Sequence, residues 1–186
     1  MELFLETERL LLRQVTDDDV DELFALDNDP EVMRYLNGGK PVGRAEIVAQ
    51  VQRMKGFYER YPAYGYWPAV EKASGTFLGW FLLRPKESDE PGHVELGYRL
   101  RRSAWGRGYA TEGSRALLRK AFTELDVQRV YAHTMVINKG SRRVMEKAGL
   151  HYVRTFEGDF PEPIQGSEKG EVEYALTRPT WQTQTP

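Results

Sequence analysis

Cysteine is absent from the chain. Its absence excludes disulfides, a thiolate nucleophile and any cysteine-based metal site. Histidine is scarce: His93, His133 and His151 are the three present. No two of them stand at a metal-ligand spacing, so no metal is expected. An excess of one charge sign is also missing. Lys and Arg number 26 against 28 Asp and Glu, a formal charge of −2, which excludes a general nucleic-acid binder. No apolar run approaches the roughly 20 residues of a membrane span. The first residues carry Glu2, Glu6 and Glu8, which is unlike a signal peptide. These absences lead to the expectation of a cytoplasmic protein with no membrane or nucleic-acid partner. At 186 residues, 40% hydrophobic and 29% charged, the chain is long enough for one domain with a real core.

The stretch that organises the rest lies at residues 105–112, WGRGYATE. Before it, residues 94–100 (VELGYRL) have strand character. After it, Leu117, Leu118, Ala121, Phe122 and Leu125 recur at helical spacing. A small-residue loop therefore joins a strand to the start of a helix. A helix start offers backbone N–H groups without intrahelical partners and the positive end of the helix dipole. Gly106, Gly108 and Ala110 carry little or no side chain, so a ligand can approach the backbone. Together these features make an anion site suited to phosphate. The glycines by themselves fit an ordinary strand–helix turn equally well.

Around this stretch the pattern is α/β. Residues 10–15, 67–71, 76–83, 93–100, 129–136, 152–156 and 172–177 read as strands. Thr16 caps a helix with Val20, Leu23 and Phe24 inward, and Pro30 opens a short helix to Leu36. Residues 45–58 form a longer helix with Ile47, Val48, Val51 and Met54 on one face. Asn138 precedes a helix that ends at Gly149, a C-cap glycine. A hairpin at residues 72–75 makes the sheet mixed. Residues 180–186 read as a frayed tail.

Two familiar phosphate loops do not fit. Gly108 and Gly113 have the spacing of a Walker loop, but Ser114 and Arg115 follow and the lysine is missing. A dinucleotide fingerprint would need a third glycine where Thr111 stands. The stretch instead resembles the acyl-CoA loop of the GNAT N-acetyltransferase superfamily, roughly Q/R-x-x-G-x-G/A, with Trp105 in the first place. The longer string YRLRRSAWGRGYATEG, residues 98–113, resembles the RimJ/RimL-like branch in particular. So do Asn138 and Ser141 followed by VMEKAGL at 144–150, with Leu150 for the usual Phe. TERLLLR at 7–13 and DPEVM at 29–33 complete the match.

The resemblance implies a GNAT (acyl-CoA N-acyltransferase) fold: a central mixed sheet with a splayed parallel strand pair, flanked by helices. One such domain is expected over residues 1–180, with 181–186 a flexible tail. The implied cofactor is acetyl-CoA, used as co-substrate. Its expected contacts are Leu100, Arg102, Arg107, Gly108, Tyr109, Ala110, Thr111, Asn138, Ser141 and Arg142. The backbone of Arg107 to Ala110 takes the diphosphate. Asn138, also a natural helix cap, reaches the pantetheine arm. The implied reaction is attack of a primary amine on a thioester, which needs a neutral amine, a stabilised oxyanion and a proton for the leaving thiolate. Glu95, on the strand before the loop, is the leading base; a structural pairing with an arginine, or mere orientation of the amine, is equally compatible. His93 is a weaker base. Many GNAT enzymes have a leaving-group Tyr seven residues after the Asn; here that position is Met145. The branch implies Ser141 instead, with Tyr152 in reserve. The oxyanion is expected on a backbone N–H near Gly97 or Tyr98. Residues 28–36, 61–67 and 158–170 are expected to wall the acceptor pocket. The acceptor is a small-molecule amine or a protein N-terminus, and a homodimer is compatible with family habit. The rival readings are a non-catalytic acyl-CoA-binding module and a phosphate or nucleotide binder without CoA.

Overall fold

The structure, a computed structural model, describes residues 2–184. One eight-stranded sheet runs through it in the order β1-β2-β3-β4-β5-β6-β8-β7. The strands are β1 Leu3–Glu6, β2 Leu10–Arg13, β3 Gly65–Glu71, β4 Phe77–Arg84, β5 His93–Leu100, β6 Arg129–Met135, β7 His151–Phe156 and β8 Glu171–Thr177. Neighbouring pairs are antiparallel except β5 and β6, which run parallel. That exception follows from the connection: a parallel neighbour needs a crossover, and the helix α4, Tyr109–Glu124, supplies it.

The helices α1 Val20–Asp27, α2 Pro30–Met33 and α3 Arg44–Arg60 precede β3. The helix α5, Lys139–Ala148, follows β6. Successive β5 side chains show which face each group covers, because they point to opposite sides of the sheet. Arg99 reaches Asp27 of α1 at 2.7 Å, while Tyr98 reaches Ser141 of α5 at 3.0 Å. Thus α1 lies on one face and α5 on the other. Gly113 of α4 sits so close to Phe81 of β4 that a Cβ there would collide with the ring, which lets helix and sheet approach closely.

The elements differ from the sequence reading in four places. β1 was not anticipated; it is four residues long, too short for alternation to register. α2 stops at Met33 rather than reaching Leu36. Val48 is exposed, because Ile47, Val51, Met54 and Tyr58 already define the buried stripe of α3 and Val48 is turned away from it. The expected frayed tail is helical: α6 spans Arg178–Gln184, and Trp181 packs on Phe122 at 5.5 Å between ring centroids. Residues 185 and 186 of that tail lie outside the described residues.

Candidate active site

The loop after β5 is built to present backbone. A 3-10 turn at Arg102–Ala104 follows the strand, and Gly108 is the N-cap of α4. Gly106 and Gly108 have φ of +69° and +82°, a left-handed backbone that a β-branched residue resists. No side chain caps α4, so the N–H groups of Tyr109, Ala110 and Thr111 have no intrahelical acceptor. The Tyr109 side chain is buried and bonded to Glu71, leaving its backbone as the part a ligand can meet. Trp105, the departure from the resembled pattern, donates its indole N–H to the Leu100 carbonyl at 2.8 Å and so braces the loop against its own strand.

A clamp from the start of the chain holds this loop. Glu112, in the first turn of α4, accepts from the Thr7 hydroxyl (2.6 Å), the Arg9 backbone N–H (2.9 Å) and Arg9 Nε (2.6 Å). The same guanidinium donates to the Arg107 carbonyl at 2.8 Å and lies over the Tyr109 ring. Burial alone would raise the Glu112 carboxyl; the hydrogen bonds from Thr7 and Arg9 outweigh it and hold it below its ordinary value. Thr7 and Arg9 were legible only as matched letters, and no local pattern tied them to Glu112.

Beside the loop the sheet opens. β5 and β6 pair only at His93↔Arg129, Val94↔Val130 and Glu95↔Tyr131, although both strands continue. On its other side β5 stays paired with β4 from Glu95 to Leu100. The Arg101 N–H donates to the Leu78 carbonyl. Alternation therefore turns the odd-numbered β5 residues toward β4 and the backbone of Tyr98 and Leu100 toward the gap. The Leu100 carbonyl is taken by Trp105. The N–H groups of Tyr98 and Leu100 are thereby aimed into the opening. Of the two N–H groups expected near the oxyanion, that of Tyr98 faces the gap and that of Gly97 faces β4.

Ser141 stands across this opening. The Tyr98 hydroxyl lies 3.0 Å from both its carbonyl and its Oγ. Burial pushes the Tyr98 hydroxyl well up, so it stays a protonated donor. Asn138 is the N-cap of α5, its Oδ1 accepting the Ser141 N–H at 3.2 Å. Met145 is buried in the core. Arg102 and Arg142 are engaged by protein groups: Arg102 by Asp29 at 2.7 Å, Arg142 by the Val136 carbonyl at 3.0 Å and the Tyr174 hydroxyl. The Arg107 side chain leans to Glu71 at 3.4 Å.

Comparisons with known proteins identify the family. The family model described as Acetyltransferase (GNAT) domain matches residues 9–151. The chain belongs to the GNAT acetyltransferase family. It is 37% identical over 183 residues to a protein of Aspergillus fumigatus named FsC-acetyl coenzyme A-N(2)-transacetylase, covering 95% of this chain and 77% of that protein. Among solved structures, a GNAT-family acetyltransferase from Bacillus anthracis superposes with a TM-score of 0.79 at 23% identity, over 95% of this chain and 99% of that one. RimL, the ribosomal L7/L12 α-N-protein acetyltransferase in complex with coenzyme A, gives 0.78 at 20% identity, over 95% and 98%. At those identities the two structures speak for the fold.

On the other face of this GNAT acetyltransferase, the face of α1, lies a polar cluster. Glu95 is held by Arg84 (Nη2 and Nε at 3.3 Å) and Lys86 (3.0 Å), with 15% of its side chain exposed. Arg84 also donates to the Tyr66 hydroxyl at 2.7 Å. Lys86 comes from the β4–β5 loop, which also brings Asp89 to the Tyr131 hydroxyl at 2.9 Å. Burial, then that bond to Asp89, pushes the Tyr131 hydroxyl up. Next along β6, His133 lies 3.1 Å from Glu173 of β8, and its ring sits between those of Tyr131 and Phe156. Glu173 also takes Arg129 and Arg154. Burial would raise its carboxyl, but those three partners hold it down at about 2. None of the residues around Glu173 was expected at the site. His93, the weaker base expected, faces Glu90 at 3.8 Å at the other end of β5.

Acids in and beside the expected acceptor walls are committed to ion pairs: Asp27 to Arg99, Asp29 to Arg102 and Glu162 to Lys40. Trp67 belongs to the core, stacked on Phe4 and Tyr58. Gly166 packs on Ile137, and an open depression of about 660 Å³ runs along Phe156, Glu157 and Phe160. Among the described residues, no helix is long and apolar enough to cross a membrane.

Proposed function

We propose that this acetyltransferase moves an acetyl group from acetyl-CoA to a primary amine by direct attack, in the manner of the RimJ/RimL-like branch. The observation that carries the reading is the parting of β5 from β6 after three pairs, next to the uncapped start of α4. The residues present fit coenzyme A. Backbone N–H groups from Arg107 to Thr111 suit a diphosphate, and the open strand edge suits the amides of a pantetheine arm. When bound, the thioester supplies the activated acetyl group.

The chain's own groups then have separable tasks. The Tyr98 N–H, facing the gap, stabilises charge on the acetyl oxygen. Asn138 caps α5 and so fixes Ser141 at the slot. Ser141 Oγ, already bonded to Tyr98, gives a proton to the sulfur; a thiol pKa of about 8.5 makes this a light demand. Glu95, held between Arg84 and Lys86, is left to orient the ammonium. The 37%-identical relative is named for N(2)-acetyl transfer, which supports an amine nitrogen as the acceptor, on a small molecule or a protein N-terminus.

Two measurements test this. Calorimetry with acetyl-CoA, CoA and ATP should show binding of the first two. ATP alone binding would point to a nucleotide site. Thiol release over a panel of polyamines, other small-molecule amines and N-terminal peptides should reveal turnover. Tight acetyl-CoA binding with every amine inert would leave a non-catalytic acyl-CoA module.

A further inference from the structure

We infer that His133, held by Glu173, is the group that takes the proton from the acceptor's ammonium; the inference rests on the amine-acetyltransferase reading. The position follows from register. Two residues past the last pair, Glu95↔Tyr131, where the strands have parted, Gly97 of β5 and His133 of β6 lie on the same face as that pair. Gly97 has no side chain on the α1 face between Glu95 and His133; the neighbour there is Leu82 of β4, 3.3 Å from where a Cβ would stand. Its neighbour Tyr98 turns its N–H into the gap. An amine approaching a carbonyl held there passes over Gly97, with Glu95 on one side and the imidazole on the other.

Glu95 is a poor choice for the proton itself, because Arg84 and Lys86 already occupy its oxygens. His133 is better placed. With Nε2–H donating to Glu173, its Nδ1 keeps a free lone pair, and Glu173 then stabilises the imidazolium that forms. The surrounding charges and hydroxyls are those of Glu173 and Glu171 on β8, Arg129 and Tyr131 on β6, Arg154 on β7, and Glu95 with its two cations. Both arginines beside the ring ion-pair with Glu173 and share its single charge. The step balances. The ammonium gives one proton to Nδ1, and the neutral nitrogen bonds to the acetyl carbon as the C–S bond breaks. As Ser141 protonates the thiolate, the second nitrogen proton passes through water to restore the Ser141 hydroxyl, and His133 returns its proton to solvent. Glu173 acts as a positioning residue.

The test compares pH profiles of kcat/KM for the best amine of the panel in wild type, His133→Gln and Glu95→Gln. The expected result is a loss of roughly 100-fold or more in His133→Gln, with its acidic limb gone and acetyl-CoA affinity by calorimetry within about twofold of wild type. Imidazole added to His133→Ala should restore part of the rate. A wild-type rate and limb in His133→Gln would overturn the inference, whatever Glu95→Gln does. Should wild type acetylate no amine, the functional reading fails on its own, and ¹⁵N NMR still decides His133. Assigned by its loss in His133→Gln, the imidazole should be neutral with Nε2–H at pH 8 and should shift when CoA binds. An imidazolium at pH 8, or a signal indifferent to saturating CoA, would remove it as the base.

Discussion

On its β4 side, β5 is paired without a break from Glu95 to Leu100; on its β6 side, pairing stops at Glu95. The same strand is thus a sealed seam on one edge and an open slot on the other. Unpaired backbone groups in a protein interior need partners. At the sealed seam the sheet supplies them; at the open one Trp105 takes the Leu100 carbonyl, and the N–H groups of Leu100 and Tyr98 face the gap. The glycines divide the same way. Gly79, on the sealed side, has φ +134°, and a Cβ there would strike the Arg99 carbonyl. Gly106 and Gly108 border the slot, where a Cβ at Gly106 meets nothing and one at Gly108 meets only an Arg9 nitrogen at 3.3 Å.

The contrast can be broken by substitution. The largest effect is expected at the sealed seam: Gly79→Ala should lower stability by at least about 3 kcal/mol, read as a fall in urea midpoint. At the slot, Gly108→Val should weaken acetyl-CoA binding by about 100-fold or more in calorimetry, because the left-handed backbone is lost and the approach is blocked. A Gly108→Val protein that binds as wild type would remove the loop from the site.

A third effect lies further along the sheet. Glu173 is held at about 2 when folded, against roughly 4.3 for a free glutamate. A depressed folded value means stability that is complete above the unfolded pKa. It is lost as pH falls from about 4.3 through about 2, by on the order of 1–3 kcal/mol. Urea midpoints over that range should show the acid limb, and Glu173→Gln should flatten it. The smallest effect is expected from Tyr98→Phe. It removes one hydrogen bond across the slot, costs about 1 kcal/mol of stability, and should reduce kcat more than it weakens acetyl-CoA binding.

The loop and its helix could be read from the residues because they are local: a strand, two glycines and a helical stripe lie within residues 94–125. The parting of the strands came only through resemblance, since nothing in VELGYRL or RVYAHTMV says where pairing stops. The His133–Glu173 pair was invisible for a related reason. Its members are 40 residues apart and meet through the β6–β8 register, which no short pattern encodes. The roles left open for Glu95 depended on Arg84 and Lys86, whose direction a sequence does not give. Trp181 was lost in a polar tail whose one aromatic packs on the core.

The Thr7–Arg9–Glu112 clamp has a consequence for how the protein comes into being. Arg9 and Glu112 are 103 residues apart in the chain, so a nascent polypeptide carries one half of the brace long before the other is synthesised. Until α4 has left the ribosome and docked on the opening strands, the loop lacks its support. Competence for the coenzyme should therefore arrive late and all at once.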